Sequence, residues 1–97
     1  METIQTDVNR ALMLDGNAAA GILAEIFAVE MTTNLAECAH CGCQGEMGTL
    51  LAFTQAPGLV LRCRDCENIV MRIVQAPGAT YLDMQGMAFL RLERALV

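Results

Sequence analysis

Two pairs of cysteines restrict this chain more than any other feature. They are Cys38-Ala39-His40-Cys41 and Cys63-Arg64-Asp65-Cys66, each a C-x-x-C, with 21 residues between Cys41 and Cys63. A C-x-x-C turn bends the backbone so that both sulfurs can meet one ion while backbone N–H groups point at them. The interval is long enough for one β-hairpin to run out and return, which brings the pairs together. This pattern reads as a tetrahedral site for one Zn²⁺ ligated by Cys38, Cys41, Cys63 and Cys66. Gly42 follows Cys41, where such a turn often needs a positive φ. Glu67 stands at the matching place after Cys66, so the left-handed residue there is expected to be Asn68. A rubredoxin-type iron site uses two C-x-x-C-G turns; the missing second glycine and the few aromatics favour zinc.

Four thiolates fill a zinc shell, whereas a catalytic zinc keeps a position for water. No His-x-Glu precedes a C-x-x-C, as a zinc deaminase would require. His40 is the sole histidine, so no Ser/His/Asp set exists. The zinc is therefore expected to be structural and the protein not an enzyme. His40 is expected on the exposed side of its turn. Cys43 is a fifth cysteine, expected not to ligate; the alternatives are that it replaces Cys41 or acts as a redox-sensitive thiol beside the site.

With 97 residues, 55% of them hydrophobic, the chain has material for one small core. That content argues against disorder. Formal charge is −5, all six basic residues are arginine, and four thiolates around one Zn²⁺ would add about −2. Phosphate contacts dominate nucleic-acid affinity, so nucleic acid is not the expected partner. Glu2, Asp7, Arg10 and Asp15 fall where a signal peptide would be apolar, and no run of eighteen uncharged apolar residues offers a membrane span. A cytoplasmic location is expected, where reducing conditions favour metal over disulfide at C-x-x-C pairs.

Residues 1–14 read as a flexible segment and 15–97 as a single domain. Asp15 or Asn17 can cap a helix over Ala18–Val29, whose Ile22, Leu23, Ile26 and Phe27 share one face. Strands are expected at 49–55, 59–63, 68–75, 79–84 and, after a turn at Gln85-Gly86 and in preference to a short helix, 87–93. The repeated Gln-Ala-Pro-Gly at 55–58 and 75–78 supplies two turns. The fold class is thus α+β: a small zinc-ribbon-like domain, an N-terminal helix followed by antiparallel β-hairpins carrying two cysteine knuckles. Ile69, Met71 and Ile73 alternate with Val70, Arg72 and Val74, so both faces of that strand need cover. The helix can cover one. The other calls for a second layer, another protein or a homodimer, unless the Arg72 stem lies over it.

Several stretches carry a wider likeness: Leu14-Asp15-Gly16-Asn17-Ala18-Ala19-Ala20-Gly21, Cys38-Ala39-His40-Cys41-Gly42, Ala56-Pro57-Gly58 before Leu61-Arg62-Cys63-Arg64-Asp65-Cys66, and Ala76-Pro77-Gly78 before Tyr81-Leu82-Asp83. In that order, over about residues 14–92, they resemble a family of small bacterial proteins, domain of unknown function 6510. The resemblance implies a zinc-ribbon-like fold, with the four paired cysteines as metal ligands, and supplies no activity. Cys43 and the segment before Leu14 have no place in the pattern.

Three functions compete. The acidic charge, the apolar helix, seven methionines and the two-faced sheet favour a zinc-stabilised protein-interaction or regulatory module. A nucleic-acid-binding zinc ribbon would need Arg62, Arg64, Arg72, Arg91 and Arg94 to share a face, and Asp65 and Glu67 dilute them. A metal- or redox-responsive protein would use Cys43 as its labile thiol.

Overall fold

Helix formation begins at the expected place, in a tighter coil than a regular α-helix. In the computed structural model, which describes residues 14–28, 30–54 and 58–92, the Asp15 carboxylate accepts a bond from the Asn17 N–H at 3.0 Å. A 3₁₀ turn, Gly16–Ala19, follows and leads into α1, Ala20–Phe27. The helix stops at Ala28, which takes a left-handed φ of 59° and donates its N–H to the Ala24 carbonyl. Leu23 is wholly buried, with Ile22, Ile26 and Phe27 partly so, which is the apolar face read from the sequence. The segment expected to be flexible lies outside the described residues except for Leu14, as does most of the first Gln-Ala-Pro-Gly turn.

Among the described residues eight short strands follow one another: β1 (Leu14–Asp15), β2 (Leu35–Cys38), β3 (Gln44–Glu46), β4 (Leu51–Phe53), β5 (Leu59–Arg62), β6 (Ile69–Ala76), β7 (Ala79–Asp83) and β8 (Met87–Leu90). They form a small, mostly antiparallel β structure with one short α-helix. One sheet has the order β1-β4-β5-β6-β7 and the other β3-β2-β8. β4 to β8 were legible in outline. β2 and β3 were not, because Leu-Ala-Glu-Cys and Gln-Gly-Glu carry no alternating apolar signal. β8 leaves the meander and pairs with β2 instead. Among the described residues no helix is long and apolar enough to cross a membrane.

The core lies where α1 and the inner face of the larger sheet meet. Leu59, Leu61, Met71 and Ile73 point into it with Leu23, Met31 and Met47, all no more than 1% exposed. Burying each such side chain is worth about 1.5–3 kcal/mol against leaving it in water. Strict alternation along β6 fails in one place. Val70 and Met71 are neighbours, yet both are buried. The β5–β6 register shifts between Leu61 and Arg62, leaving Val70 as an extra residue opposite no partner. The bulge turns Val70 toward the cysteines, which the two-residue period of an ideal strand could not do.

The outer face of the same sheet follows from register. Phe53 pairs with Val60, Val60 with Arg72, Val74 with Tyr81, and Arg72 with Asp83. Arg62 lies 5.6 Å from the centre of the Phe53 ring, and Arg72 reaches Asp83 at 3.4 Å. Arginine stems therefore cross this face, and Tyr81 remains 63% exposed.

Candidate metal centre

Each cysteine pair sits at the turn of its own hairpin, one in each sheet. Cys38 ends β2 and its turn leads to β3; Cys63 follows β5 and its turn leads to β6. The two turns share one hydrogen-bond pattern. The Gly42 N–H donates to the Cys38 carbonyl and the Glu67 N–H to the Cys63 carbonyl, both at 2.9 Å. The Cys38 N–H reaches the Cys43 carbonyl, and the Cys63 N–H reaches the Asn68 carbonyl. Inside the turns, the His40 N–H points at the Cys38 sulfur and the Asp65 N–H at the Cys63 sulfur, each at 3.4 Å.

Gly42 has a φ of 77°, as read from the sequence. In the second turn the left-handed residue is Glu67, with a φ of 61°, and not Asn68. The turn geometry sets the position, since only the residue after the second cysteine can close the bond to the first cysteine's carbonyl. Asn68 contributes through its side chain instead, whose amide donates to the Cys66 sulfur at 3.3 Å. A glutamate in this conformation is strained by about 1–2 kcal/mol. Glu67→Gly should therefore raise the stability of the metal-loaded protein by roughly 1 kcal/mol after the entropy that glycine adds to the unfolded chain. Thermal unfolding read by circular dichroism tests this, and an unchanged or lower midpoint would refute it.

The four sulfurs converge. Cys38 and Cys66 are 3.6 Å apart, as are Cys41 and Cys63, and all four atoms lie within 4.8 Å of one another. A tetrahedron with metal–sulfur bonds of about 2.3 Å has sulfur–sulfur edges of about 3.8 Å. The cluster therefore has the size of a metal shell and can hold a metal ion. Cys38 and Cys63 are buried, Cys66 is half-buried and Cys41 is exposed, so the site has an inner and an outer side.

The thiols are unequal. Bonds from the Asn68 backbone N–H and then its side chain draw Cys66 down to about 6. The Cys43 N–H pulls Cys41 the same way, but desolvation and the thiols of Cys63, Cys66 and Cys38 outweigh it and push Cys41 up to about 12. Four sulfurs this close cannot all carry charge unaided. A divalent cation would replace the shared protons and let every sulfur be a thiolate.

Cys43 is not among the converging sulfurs. Its thiol meets the Gln44 carbonyl at 3.9 Å. The Asp65 carboxylate accepts a bond from it, and with desolvation this pushes it up to about 11. A protonated thiol is a poor nucleophile. His40 is exposed, and its backbone meets the site while its ring is not part of the cluster.

A further residue, Gly86, holds the two turns together, and the sequence marks it only as half of the Gln85-Gly86 turn. The Gly86 carbonyl accepts the Ala39 N–H at 2.9 Å, inside the first knuckle. A side chain added at Gly86 would sit 1.9 Å from the Ile69 carbonyl oxygen, just past the second knuckle. Gly86 is thus wedged between the start of β6 and the first cysteine turn. Arg62 donates to the Glu67 carbonyl at 3.0 Å and Arg64 to the Thr49 carbonyl at 3.2 Å, so both bind their own backbone. A cleft of about 280 Å³ opens beside the site, its walls including Ala36, Cys43, Leu50, Arg64, Asp65 and Val70.

No curated protein and no solved structure matches the chain. A family model, described as a family of unknown function (DUF6510), matches residues 7–95. That span includes Cys43, both knuckles and part of the segment before Leu14, and the chain belongs to this family.

Proposed function

We propose that this chain is a non-enzymatic zinc protein of zinc-ribbon-like fold, working in the cytoplasm as a protein-interaction or regulatory module. One observation carries the metal assignment: four sulfurs from turns in two different sheets complete a shell of tetrahedral size. With Cys38, Cys41, Cys63 and Cys66 as ligands, no position is left for water, so the ion is structural. It ties the β2–β3 hairpin to the β5–β6 hairpin. Thiolates suit zinc, and iron is the competitor for the same four sulfurs.

Arg62, Arg64 and Arg72 are bonded to carbonyls or a carboxylate of the same chain, and Arg91 also has a partner. This supports a protein partner over nucleic acid, because phosphate binding needs cations aimed outward.

Elemental analysis should find about one zinc per chain. Cys43→Ser should keep that content and the unfolding midpoint, since its sulfur lies outside the shell. A Cys43→Ser protein that has lost its metal would show that the ligand set is wrong. An absorbing iron-thiolate chromophore in protein from the native host would replace zinc by iron.

A further inference from the structure

We propose that β7 is the pairing edge for a second copy of this chain, joined antiparallel with Tyr81 on the twofold axis. The inference names the partner of the interaction module proposed above and rests on that reading. β7 is the last strand of the five-stranded sheet, and among the described residues no strand lies on its outer side. Edge strands in soluble proteins are usually blunted by lysine, proline, a bulge or an inward charge. β7, Ala79-Thr80-Tyr81-Leu82-Asp83, has none of these, and its register with β6 runs unbroken from Arg72/Asp83 to Ala76/Ala79. Its single charge, Asp83, is tied to Arg72. Tyr81 and Leu82 are 63% and 44% exposed, one on each face.

The strand is complementary to itself. Ala76 and Ala79 flank the two-residue turn Pro77-Gly78, so hydrogen-bonded pairs alternate from there as 76/79, 74/81 and 72/83. The N–H and C=O of Thr80 and Leu82 therefore face away from β6. In an antiparallel pair centred on Tyr81, Thr80 exchanges both bonds with Leu82 of the second copy, and Leu82 with its Thr80. Tyr81 then meets Tyr81 at the closely spaced, non-hydrogen-bonded position, an aromatic cross-strand pair. Asp83 falls opposite Ala79, so no like charges meet. The half-exposed outer face of Phe53, Val60, Val74 and Tyr81 continues across the axis into its copy. Such a twofold interface closes on itself and does not propagate into fibres.

Sedimentation equilibrium on the full chain tests the pairing, with metal content measured on the same samples. The wild type should be a dimer. Tyr81→Lys places two cations face to face and should raise the dimer dissociation constant at least about tenfold. Leu82→Pro removes an outward N–H, spares the β6–β7 ladder, and should act likewise. A zinc-loaded wild type that stays monomeric up to about 100 µM overturns the pairing alone. Two metal-loaded variants that dimerise like the wild type overturn it too, by placing the contact elsewhere. A metal-free protein that dimerises, and that both variants render monomeric, overturns the zinc reading and upholds the pairing.

Discussion

Cys38→Ser will abolish metal binding and cooperative folding together. Cys38 is 4% exposed, and its sulfur stands 3.6 Å from that of Cys66. A structural zinc contributes about 10–16 kcal/mol in small peptides that fold around it. The net stability of a domain is about 5–15 kcal/mol. The first quantity is as large as the second, so loss of the ion removes the margin of folding and does not merely trim it. Serine is also a poor substitute as a ligand, since its hydroxyl keeps its proton at neutral pH. The measurement is zinc stoichiometry beside far-ultraviolet circular dichroism. Chelation of the wild type should reproduce the variant's spectrum. A Cys38→Ser protein that keeps stoichiometric zinc, or unfolds cooperatively without it, would remove the structural role. Cys43→Ser is the matched control, because it deletes a nearby thiol that lies outside the shell.

Gly86→Ala will cost about 3 kcal/mol or more, a large effect for one methyl group. The new atom would meet the Ile69 carbonyl oxygen at 1.9 Å, with the Ile69 carbonyl carbon and the Val70 Cα each at 2.8 Å. All three are backbone atoms, so no rotamer change relieves the contact. The turn must lift from β6, and the bond from Ala39 to the Gly86 carbonyl stretches with it. For a chain of this size the loss corresponds to a fall of on the order of 15 °C in Tm. Faster release of zinc to a chelator should accompany it, since the first knuckle loses its anchor. Gly21→Ala makes the comparison fair. A Cβ there meets nothing within 4 Å, and the residue lies inside α1, so that change should stabilise by up to about 1 kcal/mol. Equal midpoints for Gly86→Ala and the wild type would mean that the wedge is not where the structure puts it.

The two glycine positions show why some of the site was legible and some was not. Gly42 is local: its φ of 77° follows from a four-residue turn that the C-x-x-C pattern announces. Gly86 is legible as half of the Gln85-Gly86 turn, but its close approach to Ile69, far along the chain, is marked by nothing in its immediate neighbourhood. Glu67 is intermediate. The turn was legible, yet amino-acid preference pointed to Asn68. Closure of the Glu67 N–H onto Cys63 overrode that preference, which is worth only about 1–2 kcal/mol.

By itself the sequence determined the four sulfurs, the helix face of Leu23, Ile26 and Phe27, and the hairpin built on Pro77-Gly78. Each depends on residues a few positions apart, where spacing and turn chemistry set the geometry. Only the tertiary structure decided that the strands divide into two sheets, that Val70 bulges toward the site, and that β8 returns to β2. The first and last of those outcomes depend on hydrogen bonds between segments tens of residues apart, the bulge depends on the register of two neighbouring strands, and short polar strands such as Gln44–Glu46 hold no pattern that could name their partner. The four-sulfur cluster lies where the two kinds of information meet. Local spacing makes each pair of thiols, and the packing of one sheet against the other brings the two pairs within 4.8 Å.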